Sequence, residues 1–171
     1  RLAAQATNDA IWDWRMVDGH VIWNDALRTL FGHDADQTSA QWWIEHIHPD
    51  DRTRIDREIH AVIDGGGNAW SGEYRFRRAD GSYAAVFDRG AVLRDDRGAP
   101  VRMIGAMLDL TARKRAEAAL AEREERLRLA TEAGDLGFWD VDLVHDQLIW
   151  PPRTKAMFGI SPEVPVTLRD F

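Results

Sequence analysis

The sequence predicts an α+β domain, a five-stranded antiparallel sheet with short helices on one face, followed by a long helix and the opening of a second copy. Three observations carry this expectation. A constant offset of 127 residues lays Arg1–Gly32 without a gap on Arg128–Gly159, taking Trp12 to Trp139 and Trp23 to Trp150. Tryptophan is rare, so two in register mark a repeated unit. Two-residue alternation of apolar and polar side chains recurs around the turn signals Asp18-Gly19 and Asp80-Gly81. A helical pattern stops at Gly65-Gly66-Gly67, and from Trp70 to Leu110 the chain alternates as strand. The expected organisation is a complete domain over residues 1–110, a connecting helix over 111–133 and an N-terminal fragment of a second domain over 134–171.

Each element of the first copy has its own signal. Leu2–Asp9 reads as a short helical lead-in. Ile11–Val17 alternates Trp12, Trp14 and Met16 with Asp13 and Arg15, as a half-buried strand does, and Asp18-Gly19 turns the chain into a strand at His20–Trp23. Asn24 or Asp25 caps a helix with Leu27, Leu30 and Phe31 on one stripe, ended by Gly32. Ser39 opens a helical turn carrying Trp42, Trp43, Ile44 and Ile47. His48-Pro49-Asp50-Asp51 starts the longest helix of the domain, with proline at its first position and two carboxylates at the positive end of its dipole. Ile55, Ile59, Val62 and Ile63 form its buried face. Trp70–Phe76, Tyr83–Leu93 and Val101–Leu110 follow as strands joined at Asp80-Gly81 and Asp95–Gly98. Both faces of the last two carry apolar residues, with Phe87 and Ala91 opposite Val86 and Val92, and Met103 and Met107 opposite Ile104 and Leu108. Such strands need cover on both sides, which points to a further helix or a second subunit.

Composition narrows the function classes. The net charge of −7 disfavours a nucleic-acid surface, which rewards clustered Lys and Arg. With no cysteine there are no disulfides, thiolate nucleophiles or Cys-ligated metal centres. No apolar run approaches the ~20 residues that span a bilayer, and no charged-then-apolar leader opens the chain. The expected location is cytoplasmic. Because the chain opens on Arg1 rather than Met, a longer parent, itself open to membrane anchoring, is expected.

The element order, with the strings Trp12-Asp13-Trp14, WWIEHIHPDD (Trp42–Asp51), EYRFRRADGSY (Glu73–Tyr83) and GAMLDLTARK (Gly105–Lys114), resembles the PAS domain family, in particular its members with a tryptophan-rich first strand. The last string is similar to the family's Asp-Ile-Thr junction, with Leu110 in the middle place. The resemblance implies a sensory or interaction module whose concave sheet face holds a ligand in some members, and which passes its state to an output domain such as a histidine kinase or diguanylate cyclase. No phosphoacceptor helix, phosphate-binding glycine loop or Ser/His/Asp set accompanies it, so the segment is read as non-catalytic.

Candidate residues follow. Trp12, Trp14, Phe76, Phe87 and Met107 are candidates to line a ligand pocket, the alternative being that they fill the core. Asp109, Leu110 and Thr111 are candidates for signal transmission, with Leu120 and Leu127 downstream. In the long C-terminal helix Ala116, Leu120, Arg123, Leu127 and Ala130 form a coiled-coil seam with one charged interruption, flanked by the i,i+4 pairs Glu122–Arg126 and Glu124–Arg128. His60 stands where haem-binding members of the family carry an axial histidine, but Arg52, Asp56, His60 and Asp64 share one polar stripe, which places it toward solvent. His46 and His48 near Asp50 and Asp51 are better explained by helix capping than by a metal. Glu73 and Arg75 share a face and are expected to pair with Arg89. The expected function is a sensory and dimerisation module acting on an output domain of the same parent chain, as a homodimer, with a small-molecule ligand possible and no nucleic-acid or membrane contact. The alternative is a cofactor-loaded receptor holding a noncovalent flavin or, less favoured, haem. A cysteine-linked flavin, found in light-sensing relatives, is excluded.

Overall fold

A computed structural model describes residues 9–133, 137–142 and 147–167. The chain divides into two compact units at Ala116/Glu117. In the first, β1 (Ala10–Arg15), β2 (His20–Trp23), β3 (Gln37–Ser39), β4 (Ala69–Arg77), β5 (Tyr83–Arg94) and β6 (Pro100–Asp109) form one antiparallel sheet in the order β3-β2-β1-β6-β5-β4. Helices α1 (Ala26–Phe31), α2 (Ala40–His46) and α3 (Pro49–Asp64) lie between β2 and β4 in the chain. The sheet has one strand more than expected. Gln37–Ser39 pairs with β2, and Thr38 Oγ1 accepts the indole N–H of Trp23 at 2.8 Å, fixing a polar edge strand too short to show a period.

Local chemistry sets the helices. Ser39 caps α2 by accepting from the Trp42 amide, and Pro49, Asp50 and Asp51 open α3 as expected. Arg94 closes α3 by donating to the carbonyls of Ile63 and Gly67, both at 2.8 Å. Helix α3 buries Ile55, Ile59 and Ile63 against the sheet; at ~1.5–3 kcal/mol per fully buried aliphatic side chain this outweighs its weak intrinsic propensity. Asp51 takes three hydrogen bonds from the amide and guanidinium of Arg75, tying α3 to β4. The core is the inner sheet face together with these helices.

Trp12 lies flat over β5 and β6 where they carry Gly90 and Gly105 opposite one another. A Cβ at Gly105 would meet the Trp12 ring and the Arg89 carbonyl at 2.3 Å, so the indole occupies a trough that only glycine leaves open.

Helix α4 (Thr111–Ala133) begins in the first unit, immediately after β6. Glu122 pairs with Arg126 as expected, whereas Arg128 pairs with Glu125, one position from the expected Glu124; both spacings bring side chains together on a helix. In the second unit, β7 (Asp140–Asp142) pairs with β8 (Gln147–Ile149), and α5 (Pro152–Met157) follows. The hairpin register repeats that of the first unit at the offset of 127: Asp140 faces Ile149 as Asp13 faces Ile22, and Val141 faces Leu148 as Trp14 faces Val21. Gly159 ends its helix at φ 69°, as Gly32 does at φ 76°. Burial departs from this correspondence. Trp150 is buried like Trp23, but Trp139 is 59% exposed against 5% for Trp12, and Phe158 is 65% exposed against 1% for Phe31. The expected lead-in at Leu2–Asp9 and the turn at His145-Asp146 lie outside the described residues, apart from Asp9 itself.

Candidate functional site

Two places in the first unit bring candidate functional side chains together: the interior beneath Trp12 and the junction between β6 and α4.

Alternation along β5 turns Ala84, Val86, Asp88 and Val92 inward, so one carboxylate enters an otherwise apolar layer. Asp88 is 1% exposed. Its Oδ1 accepts the indole N–H of Trp12 at 2.8 Å and its Oδ2 the hydroxyl of Tyr74 at 2.7 Å. Tyr74 in turn accepts from the indole N–H of Trp43 at 2.8 Å. Burial pushes the Asp88 carboxyl up to about 7, against the pull of these donors, and raises the Tyr74 phenol well above its ordinary value. Trp12 and Trp43, held by this network, wall a cavity of about 20 Å³ together with Trp14, Val21, Trp23, Ala40 and Ile59. That volume is room for about one water, against ~300–1,000 Å³ for small-molecule sites.

The five pocket candidates are therefore not one site. Trp12 and Trp14 line the cavity; Phe76 and Met107 are fully buried elsewhere in the core. Phe87 is on the opposite face, because β5 turns it outward with Ala85 and Ala91, and there it borders an open groove with Ile11, Trp70 and Ile104. The interior side chains do not fit a flavin or haem, whose rings would have to displace the tryptophans. His60 is exposed, bonded through Nδ1 to the Asp56 carbonyl. His46 stacks on Trp42 with ring centroids 3.9 Å apart, and burial lowers its pKa. Among the described residues no cluster of three or more His, Asp or Glu is disposed to hold a metal ion.

At the junction, Asp109 accepts from the Thr111 amide at 2.8 Å and pairs with Arg78 at 2.5 Å. Its burial opposes ionisation, but the bonds from Thr111 and Arg78 prevail and hold the carboxyl below its usual range. Thr111 Oγ1 accepts from the Ala85 amide at 3.0 Å, and the Leu110 amide donates to the Ala85 carbonyl at 2.8 Å, so the first residues of α4 remain hydrogen-bonded to β5. Lys114 reaches back to Glu73 on β4, which corrects the expected Glu73–Arg89 pair: Glu73 stands opposite Phe87, and Arg75 is committed to Asp50 and Asp51. Downstream, Leu120 and Leu127 are 58% and 61% exposed. Sequence reasoning named Asp109, Leu110 and Thr111, which the structure brings together with Arg78 and Ala85, and did not name Asp88. Its signal was there, a lone carboxylate at an inward position between Val86 and Val92.

The PAS fold family matches residues 20–107, and the chain belongs to that family. A sensory box histidine kinase/response regulator from Burkholderia thailandensis superposes with a TM-score of 0.61 at 31% identity, over 74% of this chain and 95% of that one. Sensor protein FixL of Bradyrhizobium diazoefficiens is 33% identical over 68% of this chain, and the probable diguanylate cyclase DgcE of Escherichia coli 25% identical over 82%. The matches span 23% and 13% of those two relatives' length. The first unit is a PAS sensory domain resembling those of histidine kinases and diguanylate cyclases.

Proposed function

We propose that the chain is a non-catalytic sensory and dimerisation module that passes the state of its core through α4 to an output domain of the same parent, of the histidine kinase or diguanylate cyclase type. The observation that carries this reading is the junction. β6 runs from the core into Asp109 and Thr111, whose bonds to Arg78 and the Ala85 amide make the start of α4 follow any shift of β5 against β6. A cytoplasmic position accords with output domains that use nucleotide substrates.

In this reading the homodimer is held by the outer sheet face and α4. Support comes from the exposed apolar groove along β5 and β6 and from Leu120 and Leu127, which face solvent in the single chain. The second unit opens a second domain of the same fold. Its register repeats the first, and its exposed Trp139 and Phe158 are the counterparts of the core residues Trp12 and Phe31. Sedimentation of the purified chain tests the assembly. Dimers are expected at high micromolar concentration, and Leu120→Lys with Leu127→Lys should weaken association at least tenfold while leaving the unfolding midpoint unchanged. A monomer at that concentration contradicts the reading.

A further inference from the structure

Asp88 is a buried carboxylate with no cationic partner among the described residues. What faces it can be named element by element. β1 presents the Trp12 indole N–H, β4 the Tyr74 hydroxyl, and the next residue of β5 the Arg89 backbone N–H. β6 sets Met107 directly opposite in register. α2 supplies Trp43 behind Tyr74, and α3 packs Ile55 over Gly72, the cross-strand partner of Asp88. Of the charged groups of α3, Asp50 and Asp51 pair with Arg75, Arg54 with Glu58 and His60 with Asp56, while Arg52 bonds to the Glu45 and Ile47 carbonyls; Arg57 and Asp64 are exposed. Tyr74 is thus the titratable side chain in contact with Asp88, and among the described residues no ion pair includes Asp88.

The Tyr74 hydroxyl has one proton and two acceptors in reach, Asp88 Oδ2 at 2.7 Å and Met107 Sδ at 3.4 Å, while its oxygen already accepts from Trp43. With Asp88 ionised, the hydroxyl donates to the carboxylate. With Asp88 neutral, the acid proton donates to the phenol oxygen and the phenol proton turns to the Met107 sulfur. Every donor is satisfied in both arrangements, so the core tolerates either without an orphaned polar group.

We propose that Asp88 takes up and releases a proton inside the folded domain, and that Tyr74 reports its state to Met107 on β6, the strand that ends at the Asp109–Thr111 junction. The input of this module is then proton activity, or a ligand or charge that biases the same proton. Burial that raises the carboxyl to about 7 sets the response in the neutral range. The inference deepens the sensory reading and rests on it for its purpose, but the proton site is tested independently of dimerisation or output.

The test is an NMR titration of the intact chain from pH 5 to 9, following side-chain carboxyl carbons and the methionine methyls. In the wild type one aspartate should titrate near neutrality, and the Met107 methyl should shift with the same midpoint. Asp88→Asn should abolish both changes. Tyr74→Phe should leave the carboxyl titrating and uncouple Met107. An Asp88 carboxyl that stays in one state throughout, or a wild-type Met107 methyl that does not follow it, overturns the proposal, and those wild-type results stand even if a variant fails to fold.

Discussion

Asp88 and Trp12 illustrate how single side chains shape this interior. Trp12 needs two glycines beneath it and a carboxylate at its ring nitrogen, and Asp88 accepts destabilisation in its charged form to provide that bond. The sign of the pH effect follows. The folded pKa of about 7 lies above the unfolded value of ~3.9, so the folded state binds more protons across that window and stability falls as pH rises through it, by at most roughly 1.4 kcal/mol per unit, then levels off. Asp13, Asp51 and Asp109 act oppositely. Their carboxyls are held low, so their stabilisation is present above the usual carboxylate range and lost as pH falls into and below it. Denaturant midpoints between pH 5 and 8 should fall in the wild type relative to Asp88→Asn, in which the depressed His46 pKa contributes the opposite sign; parallel curves would show that Asp88 does not titrate in the fold. The tryptophans were legible in the sequence as core or pocket, but which of these was not. Whether indoles leave a gap depends on packing to within an ångström, and alternation says only which face a residue takes.

Among the elements, α3 and the strands flanking it were the most readable, because capping letters, a 3.6-residue apolar stripe and Asp-Gly turns agree with one another. Expectation failed where an element is short or its partner is distant in sequence. β3 has three residues and is made by pairing alone, and Glu73 chose Lys114 over Arg89 because the first turn of α4, which follows β6 directly, sets Lys114 beside β4. Arg94 is a similar long-range device, a strand residue ending a helix 31 residues earlier. Replacing Arg94 by Ala should cost about 1–2 kcal/mol and speed amide exchange over the last turn of α3. An unchanged midpoint with unchanged exchange would mean that the Gly65–Gly67 turn closes the helix unaided.

For the whole molecule, the sequence repeat was more legible than its consequences. The offset that aligns Trp12 with Trp139 also predicts the hairpin register and the left-handed glycine, since both are local. It does not say what covers Trp139 and Phe158, because that depends on long-range packing and not on local spacing. Nor does an apolar spacing in α4 establish pairing: exposed Leu120 and Leu127 are a seam only with a partner helix. In the proposed assembly α4 pairs with its copy and is steered by the β6 junction. The chain has no cysteine, so Glu124→Cys provides a single spin-label site. Dipolar electron resonance between labels should give one short interchain distance, as for helices ~8–10 Å apart, and that distribution should shift or broaden in Asp109→Ala. Absence of an interchain signal, or the same distribution with and without Asp109, would contradict the account.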